Sequence, residues 1–83
     1  MRLLYFAWVR ERIGKGEEDV CPPAEIKSVA DLIDWLAGQG EPYASAFAER
    51  ERLRAAVDGV FASINSPVAA AREVAIFPPV TGG

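Results

Sequence analysis

The sequence contains no histidine. That one absence removes histidine-based general bases, Ser-His-Asp triads and histidine-ligated zinc sites. There is a single cysteine, Cys21. No internal disulfide can form, a Cys-x-x-Cys redox or zinc site is excluded, and a reducing compartment is the simpler reading. Positive charge is not in excess either. Nine Lys and Arg against twelve Asp and Glu leave a net charge of −3, the wrong sign for a binder of phosphate backbones. The longest early apolar run, Leu3 to Val9, falls far short of the roughly 20 residues that span a bilayer, and no signal-peptide cleavage pattern follows it. No repeat or low-complexity block is present. The expectation is a cytoplasmic protein that binds neither nucleic acid nor membrane, and a self-contained enzyme is disfavoured.

What remains is enough for one small domain. The 83 residues are 51% hydrophobic and 25% charged, so a core can form, although a chain this short sits near the lower limit for folding unaided. Leu3 to Val9, apolar and aromatic throughout, reads as a first strand. Alternation puts Leu4, Phe6 and Trp8 on one of its faces and Leu3, Tyr5, Ala7 and Val9 on the other. Arg10 to Ile13 reads as a helical turn stopped by Gly14 and Gly16. Glu17 to Cys21 reads as a second strand closed by Pro22-Pro23, antiparallel to the first.

The clearest local signal is a helix. Ser28 is a good N-cap, Asp31 stands three residues on, and Val29, Leu32, Ile33 and Leu36 follow the spacing of one buried helical face. Gly38 and Gly40 end it. Tyr43 to Glu49 reads as a second short helix that turns Ala44, Phe47 and Ala48 inward. Glu49-Arg50-Glu51-Arg52 alternates in sign and reads as a solvated surface. Leu53–Val57 and Val60–Ile64 read as strands joined by Asp58-Gly59, a strong hairpin turn signal. Arg72–Phe77 is the last strand, and Pro78-Pro79 terminates it.

The order β-β-α-(α)-β-β-β fits an α+β fold, with a mixed sheet packed on one main helix. With the last strand beside the first in the centre, this is a β-grasp, or ubiquitin-like, roll. Patterning alone does not separate that roll from other small α+β sheets.

The most informative segment is the tail from Pro78 to Gly83. Glycine is about 7% of average usage, so a Gly-Gly end arises by chance in roughly 0.5% of chains. A frayed terminus is the bland explanation. However, two prolines stiffen the root, while Gly82 and Gly83 lack Cβ atoms and fit a channel too narrow for other residues. The only functional group at the tip is the α-carboxylate of Gly83. A carboxylate is a poor electrophile until it is activated, for example as an acyl-adenylate. Sulfur delivered to that carbon gives a thiocarboxylate on a flexible arm, and the chain is then a carrier for machinery held by its partners.

These residues resemble a known family. Glu73-Val74-Ala75-Ile76-Phe77-Pro78-Pro79-Val80-Thr81-Gly82-Gly83 looks like the C-terminus of molybdopterin synthase small subunits. Phe6-Ala7-Trp8-Val9-Arg10-Glu11 followed by Gly14 is similar to that family's first strand and turn. Ala56-Val57-Asp58 resembles its third-strand motif, with Asp where Asn is more usual. Ala70-Ala71-Arg72 departs from the usual Gly-Asp-type turn.

The resemblance implies a single β-grasp sulfur-carrier domain over 1–83 with a flexible tail, 78–83. It implies that Gly83 is adenylated and then thiocarboxylated, while Pro78, Pro79, Val80, Thr81 and Gly82 insert into a large subunit. That subunit turns cyclic pyranopterin monophosphate into molybdopterin, the dithiolene of the molybdenum cofactor. The implied partners are this large subunit, in a heterotetramer, a ubiquitin-activating-enzyme-like adenylyltransferase that uses ATP, and a sulfur donor protein. The chain itself is expected to bind no cofactor and no metal, and catalytic residues belong to the large subunit.

Phe6, Phe61 and Phe77 stand where the family has apolar residues on an exposed sheet face; ordinary core aromatics are the alternative. Arg10 is an interface candidate or part of a solvated turn. Cys21 is expected to be a partly buried strand residue without a role. Arg50, Arg52 and Arg54, interleaved with Glu49 and Glu51, are not a nucleic-acid patch. A carrier for another product such as the thiazole of thiamine, a ubiquitin-like protein modifier, and a plain protein-binding module with an incidental Gly-Gly end are the other readings.

Overall fold

The computed structural model describes residues 1–79. Val80, Thr81, Gly82 and Gly83 lie outside the described residues.

The elements are β1 (Arg2–Tyr5), α1 (Ala7–Ile13), β2 (Glu17–Asp19), α2 (Val29–Ala37), α3 (Tyr43–Ala46), a 3-10 turn (Arg50–Arg52), β3 (Arg54–Val57), β4 (Val60–Ala62) and β5 (Glu73–Phe77). The five strands form one sheet in the order β2-β1-β5-β3-β4. β5 is central and runs parallel to β1 and antiparallel to β3; β1–β2 and β3–β4 are antiparallel. This is the mixed β-grasp sheet expected from the sequence.

Pleating sends alternate side chains to one face of the sheet. Leu3 and Tyr5 of β1, Ala55 of β3, and Val74 and Ile76 of β5 are all buried. They share one core with Val29, Leu32, Ile33 and Leu36 of α2. Burial of such side chains is worth roughly 1.5–3 kcal/mol each before entropy is counted, so this face holds the domain together. The start of α2 is fixed locally. The Asp31 amide donates to the Ser28 hydroxyl (3.1 Å), and the Ser28 amide donates back to the Asp31 carboxylate (3.2 Å), a complete capping box.

The β3–β4 turn is also local chemistry. Val57 pairs with Val60 across two residues. Asp58 and Gly59 both take positive φ, +49° and +83°, as a type I′ hairpin turn requires.

Three expectations fail. The first strand does not run from Leu3 to Val9: it ends at Tyr5, and α1 begins at Ala7. Phe6 is extended and Ala7 has φ +54°, so the chain turns there, and Val9 and Ile13, four apart, bury one face of a helix. Gly14, left-handed at φ +91°, ends that helix. Second, the helix expected over Tyr43–Glu49 is one turn ending at Ala46. It buries Ala46 and Phe47, while Ala48 is exposed and Ala44 half-buried. Third, β2 ends at Asp19, which leaves Cys21 outside the strand and exposed.

Candidate functional site

The core occupies one face of the sheet, and the other face is where the candidate site lies. Strand register gives its composition. Glu17, Leu4, Ala75, Ala56 and Phe61 lie in one row across the five strands. The next row toward the end of β5 pairs Phe77 with Arg54, and the Phe6 amide donates to the Ile76 carbonyl beside it (3.3 Å). Phe61 is 82% exposed and Phe6 49%. Phe61 and the half-buried Phe77 meet edge to face, with ring centres 5.9 Å apart. The three phenylalanines therefore stand on one surface around a floor of small side chains. Ala56 and Ala75 make that floor, and sequence reasoning did not pick them out. Alternation along β3 and β5 was the signal that could have found them.

Charge lies at the margins of this face. Arg2 and Glu17 form an exposed ion pair (2.6 Å) on its β1–β2 side, where such pairs contribute little stability. Arg10, expected in a helical turn, is an exposed residue of α1. It lies over Gly16, where a Cβ would come within 3.2 Å of its Nε, and lines a shallow groove with Leu4, Phe6 and Glu17. A second groove is formed by Arg54, Phe61, Phe77 and Pro79.

Pro78 and Pro79 follow β5 directly, half-buried and exposed respectively. Neither has an N–H, so the ladder cannot continue, and the chain leaves the sheet beside Phe6 and Phe77. Val80, Thr81, Gly82 and Gly83 of the expected tail are outside the described residues.

On the core side, one acidic group is partly buried. Glu18 pairs in register with Leu3, so its side chain turns toward the helices. Its Oε2 accepts hydrogen bonds from the hydroxyls of Tyr5 and Tyr43, both at 2.7 Å, and Lys15 approaches Oε1 at 3.5 Å. Burial pushes the Glu18 carboxyl up, but the two tyrosines and Lys15 outweigh it and hold it below the ordinary carboxylate value. Burial and Glu18 together push the Tyr5 hydroxyl far up, so it remains a donor. No buried side-chain polar atom among the described residues lacks a partner. The cluster is satisfied and structural.

Among the described residues no group of acids and cysteines could hold a metal ion. No helix there is long and apolar enough to cross a membrane.

The sequence model of the ThiS family matches residues 3–83. The chain belongs to the ThiS family. Within it, the chain is 39% identical to the molybdopterin synthase sulfur carrier subunit of Escherichia coli, over all of this chain and 99% of that one. It is 32% identical to the protein of the same name from Haemophilus influenzae, again over all of this chain and 99% of the relative. Among solved structures, small archaeal modifier protein 1 of Haloferax volcanii matches with a TM-score of 0.71 at 25% identity, over 95% of each chain. This ThiS-family chain thus shares its fold with a small archaeal modifier protein and aligns over its whole length with proteins named as sulfur carrier subunits.

Proposed function

We propose that this chain is the sulfur-carrying small subunit of a molybdopterin synthase. The observation that carries the reading is the 39% identity, without truncation, to a carrier of that name. The physical arrangement supports it. A sheet face bearing Phe6, Phe61 and Phe77 is an apolar surface suited to a large-subunit partner. The strand at its centre, β5, leads straight into the tail sequence Pro78-Pro79-Val80-Thr81-Gly82-Gly83.

In this reading the large subunit covers the phenylalanine face, Arg10 sits at the rim, and the tail enters the partner's active site. A ubiquitin-activating-enzyme-like adenylyltransferase first spends ATP to convert the Gly83 carboxylate to an acyl-adenylate. Attack on the acyl carbon by sulfide-level sulfur (hydrosulfide) released by a donor protein forms the C–S bond, breaks the C–O bond to AMP and, with loss of a proton, leaves the thiocarboxylate. The large subunit, which holds the catalytic residues, then moves that sulfur onto cyclic pyranopterin monophosphate. A dithiolene needs two sulfurs, so two loaded carriers serve each product. The small chain itself binds no cofactor.

The test is product formation with thiocarboxylated carrier and purified large subunit, comparing wild type, a Gly83 deletion and Cys21→Ser. The deletion shortens an extended arm by about 3.5 Å, whereas a misplacement of about 1 Å already costs about 100-fold. It should fold, bind and fail to yield product, and Cys21→Ser should be near normal. Normal turnover by the deletion, or loss only in Cys21→Ser, would overturn the reading.

A further inference from the structure

A second surface adjoins the tail root, and its chemistry differs from that of the phenylalanine face. β1 and β5 are parallel, so α1 follows β1 at the same end of the sheet where Pro78 follows β5. β3 is antiparallel to β5, so the 3-10 turn that precedes it lies at that end too. Topology thus brings α1, the 3-10 turn and the root of the tail together.

Trp8, a residue of α1, faces Arg52 of the 3-10 turn. The guanidinium carbon of Arg12 lies 4.6 Å from its ring centre, and that of Arg52 lies 5.8 Å from it. Both are within cation–π range. The two cations are therefore separated by no more than about a Debye length, and they repel each other.

Their compensation is thin. Arg52 has one exposed partner, Glu49 at 3.1 Å. Arg12 has no carboxylate within ion-pair distance among the described residues. Nearby Arg54 spends its Nη1 on the carbonyls of Glu51 and Leu53. Glu11 and Glu51 are the other acids of these segments, and both are exposed with no ion-pair partner among the described residues. A chain of net charge −3 thus presents, at the end of the sheet where Pro78 follows β5, two arginines held against a tryptophan. Tryptophan and arginine are the residue types most enriched where binding energy concentrates.

We infer that the Trp8–Arg12–Arg52 ledge is a second docking element for the large subunit, fitting a carboxylate-bearing segment beside the mouth that takes the tail. This rests on the proposed function. The ledge lies at the end of the sheet where Pro78 follows β5, so a partner that takes the tail approaches that same end. A carboxylate there relieves the repulsion between the two guanidinium groups and orients the carrier before the apolar face closes. The main effect is on association rate and its salt dependence.

The experiment measures association rate constants of the carrier with purified large subunit at about 20 mM and about 200 mM salt. Wild type is compared with Arg12→Glu/Arg52→Glu and with the milder Arg12→Gln/Arg52→Gln, which removes charge with little change of bulk. The control, Lys27→Glu/Arg72→Glu, makes the same change in net charge at positions before α2 and β5, toward the opposite end of the sheet. Circular dichroism verifies folding.

The ledge reversal should slow association at low salt by about tenfold and flatten its salt dependence, with the glutamine pair intermediate and the control within about threefold of wild type. Equal slowing by ledge and control variants would reduce the effect to net charge and overturn the inference, as would unchanged rates in both ledge variants. Failure of the wild type itself to bind would instead refute the proposed function, and the inference with it.

Discussion

The carboxylate of Asp58 accepts a hydrogen bond from the backbone N–H of Glu73 at 3.0 Å, and the same oxygen accepts from Arg72 at 2.9 Å. The tip of the β3–β4 hairpin is thereby tied to the first residue of β5, the strand that leads to the tail. Asp58 meets two demands at once. It tolerates φ of +49°, which Asn and Asp do better than most residues, and it supplies an acceptor where Ala70-Ala71-Arg72 offers no side-chain oxygen.

Asp58→Ala should therefore lower stability by about 1–2 kcal/mol, combining a lost acceptor with an αL penalty. Asp58→Asn, which keeps both properties, should lose less than half as much. Urea unfolding of the two variants decides it; equal losses would mean that the acceptor is irrelevant.

Glu18 gives a pH dependence with a definite sign. Its carboxyl is held below the ordinary value in the fold. Its stabilising contribution is therefore complete above about pH 4–5, where the unfolded carboxylate is also ionised, and is lost as pH falls through the lower folded value. Glu18→Gln should lose stability at pH 7 and show a shallower decline on acidification than wild type. Tyr43→Phe should cost about 1 kcal/mol at pH 7 through the same carboxylate. Parallel acid-unfolding curves for wild type and Glu18→Gln would refute this account of the cluster.

Much of the fold was legible because its signals are local. Ser28 with Asp31, and Asp58 with Gly59, each encode their structure within a few residues. The phenylalanine face was found through resemblance, and alternation then explains it. The failures have physical causes. In Leu3–Val9 an unbroken apolar run serves two elements, and hydrophobicity does not mark the turn at Phe6-Ala7. The four-residue step from Val9 to Ile13, followed by Gly14, carried the helix signal. Glu17, Glu18 and Asp19 look equivalent in sequence, and only the pairing of Glu18 with Leu3 selects the one that turns inward. The Trp8 ledge joins residues from distant segments, so no local pattern announced it.

The phenylalanine face predicts a separation of stability from binding. Phe61 is 82% exposed, so Phe61→Ala should change folding stability by less than about 0.5 kcal/mol. It should still weaken binding to the large subunit about tenfold or more. Phe77→Asp should remain folded and bind still more weakly, since docking would bury an unpaired charge at a cost of several kcal/mol. Calorimetric titration with the large subunit reads both. Unchanged affinity, or an unfolded Phe77→Asp chain, would assign these rings to structure.

The central claim is that sulfur travels on the carboxyl carbon of Gly83. Its most direct test is the intact mass of the chain, with fragmentation, after incubation with the adenylyltransferase, ATP and a sulfur donor. The account predicts a gain equal to replacing one oxygen by sulfur, localised to Gly83 and absent without ATP. An unchanged Gly83 mass, or added sulfur found on Cys21, would contradict it.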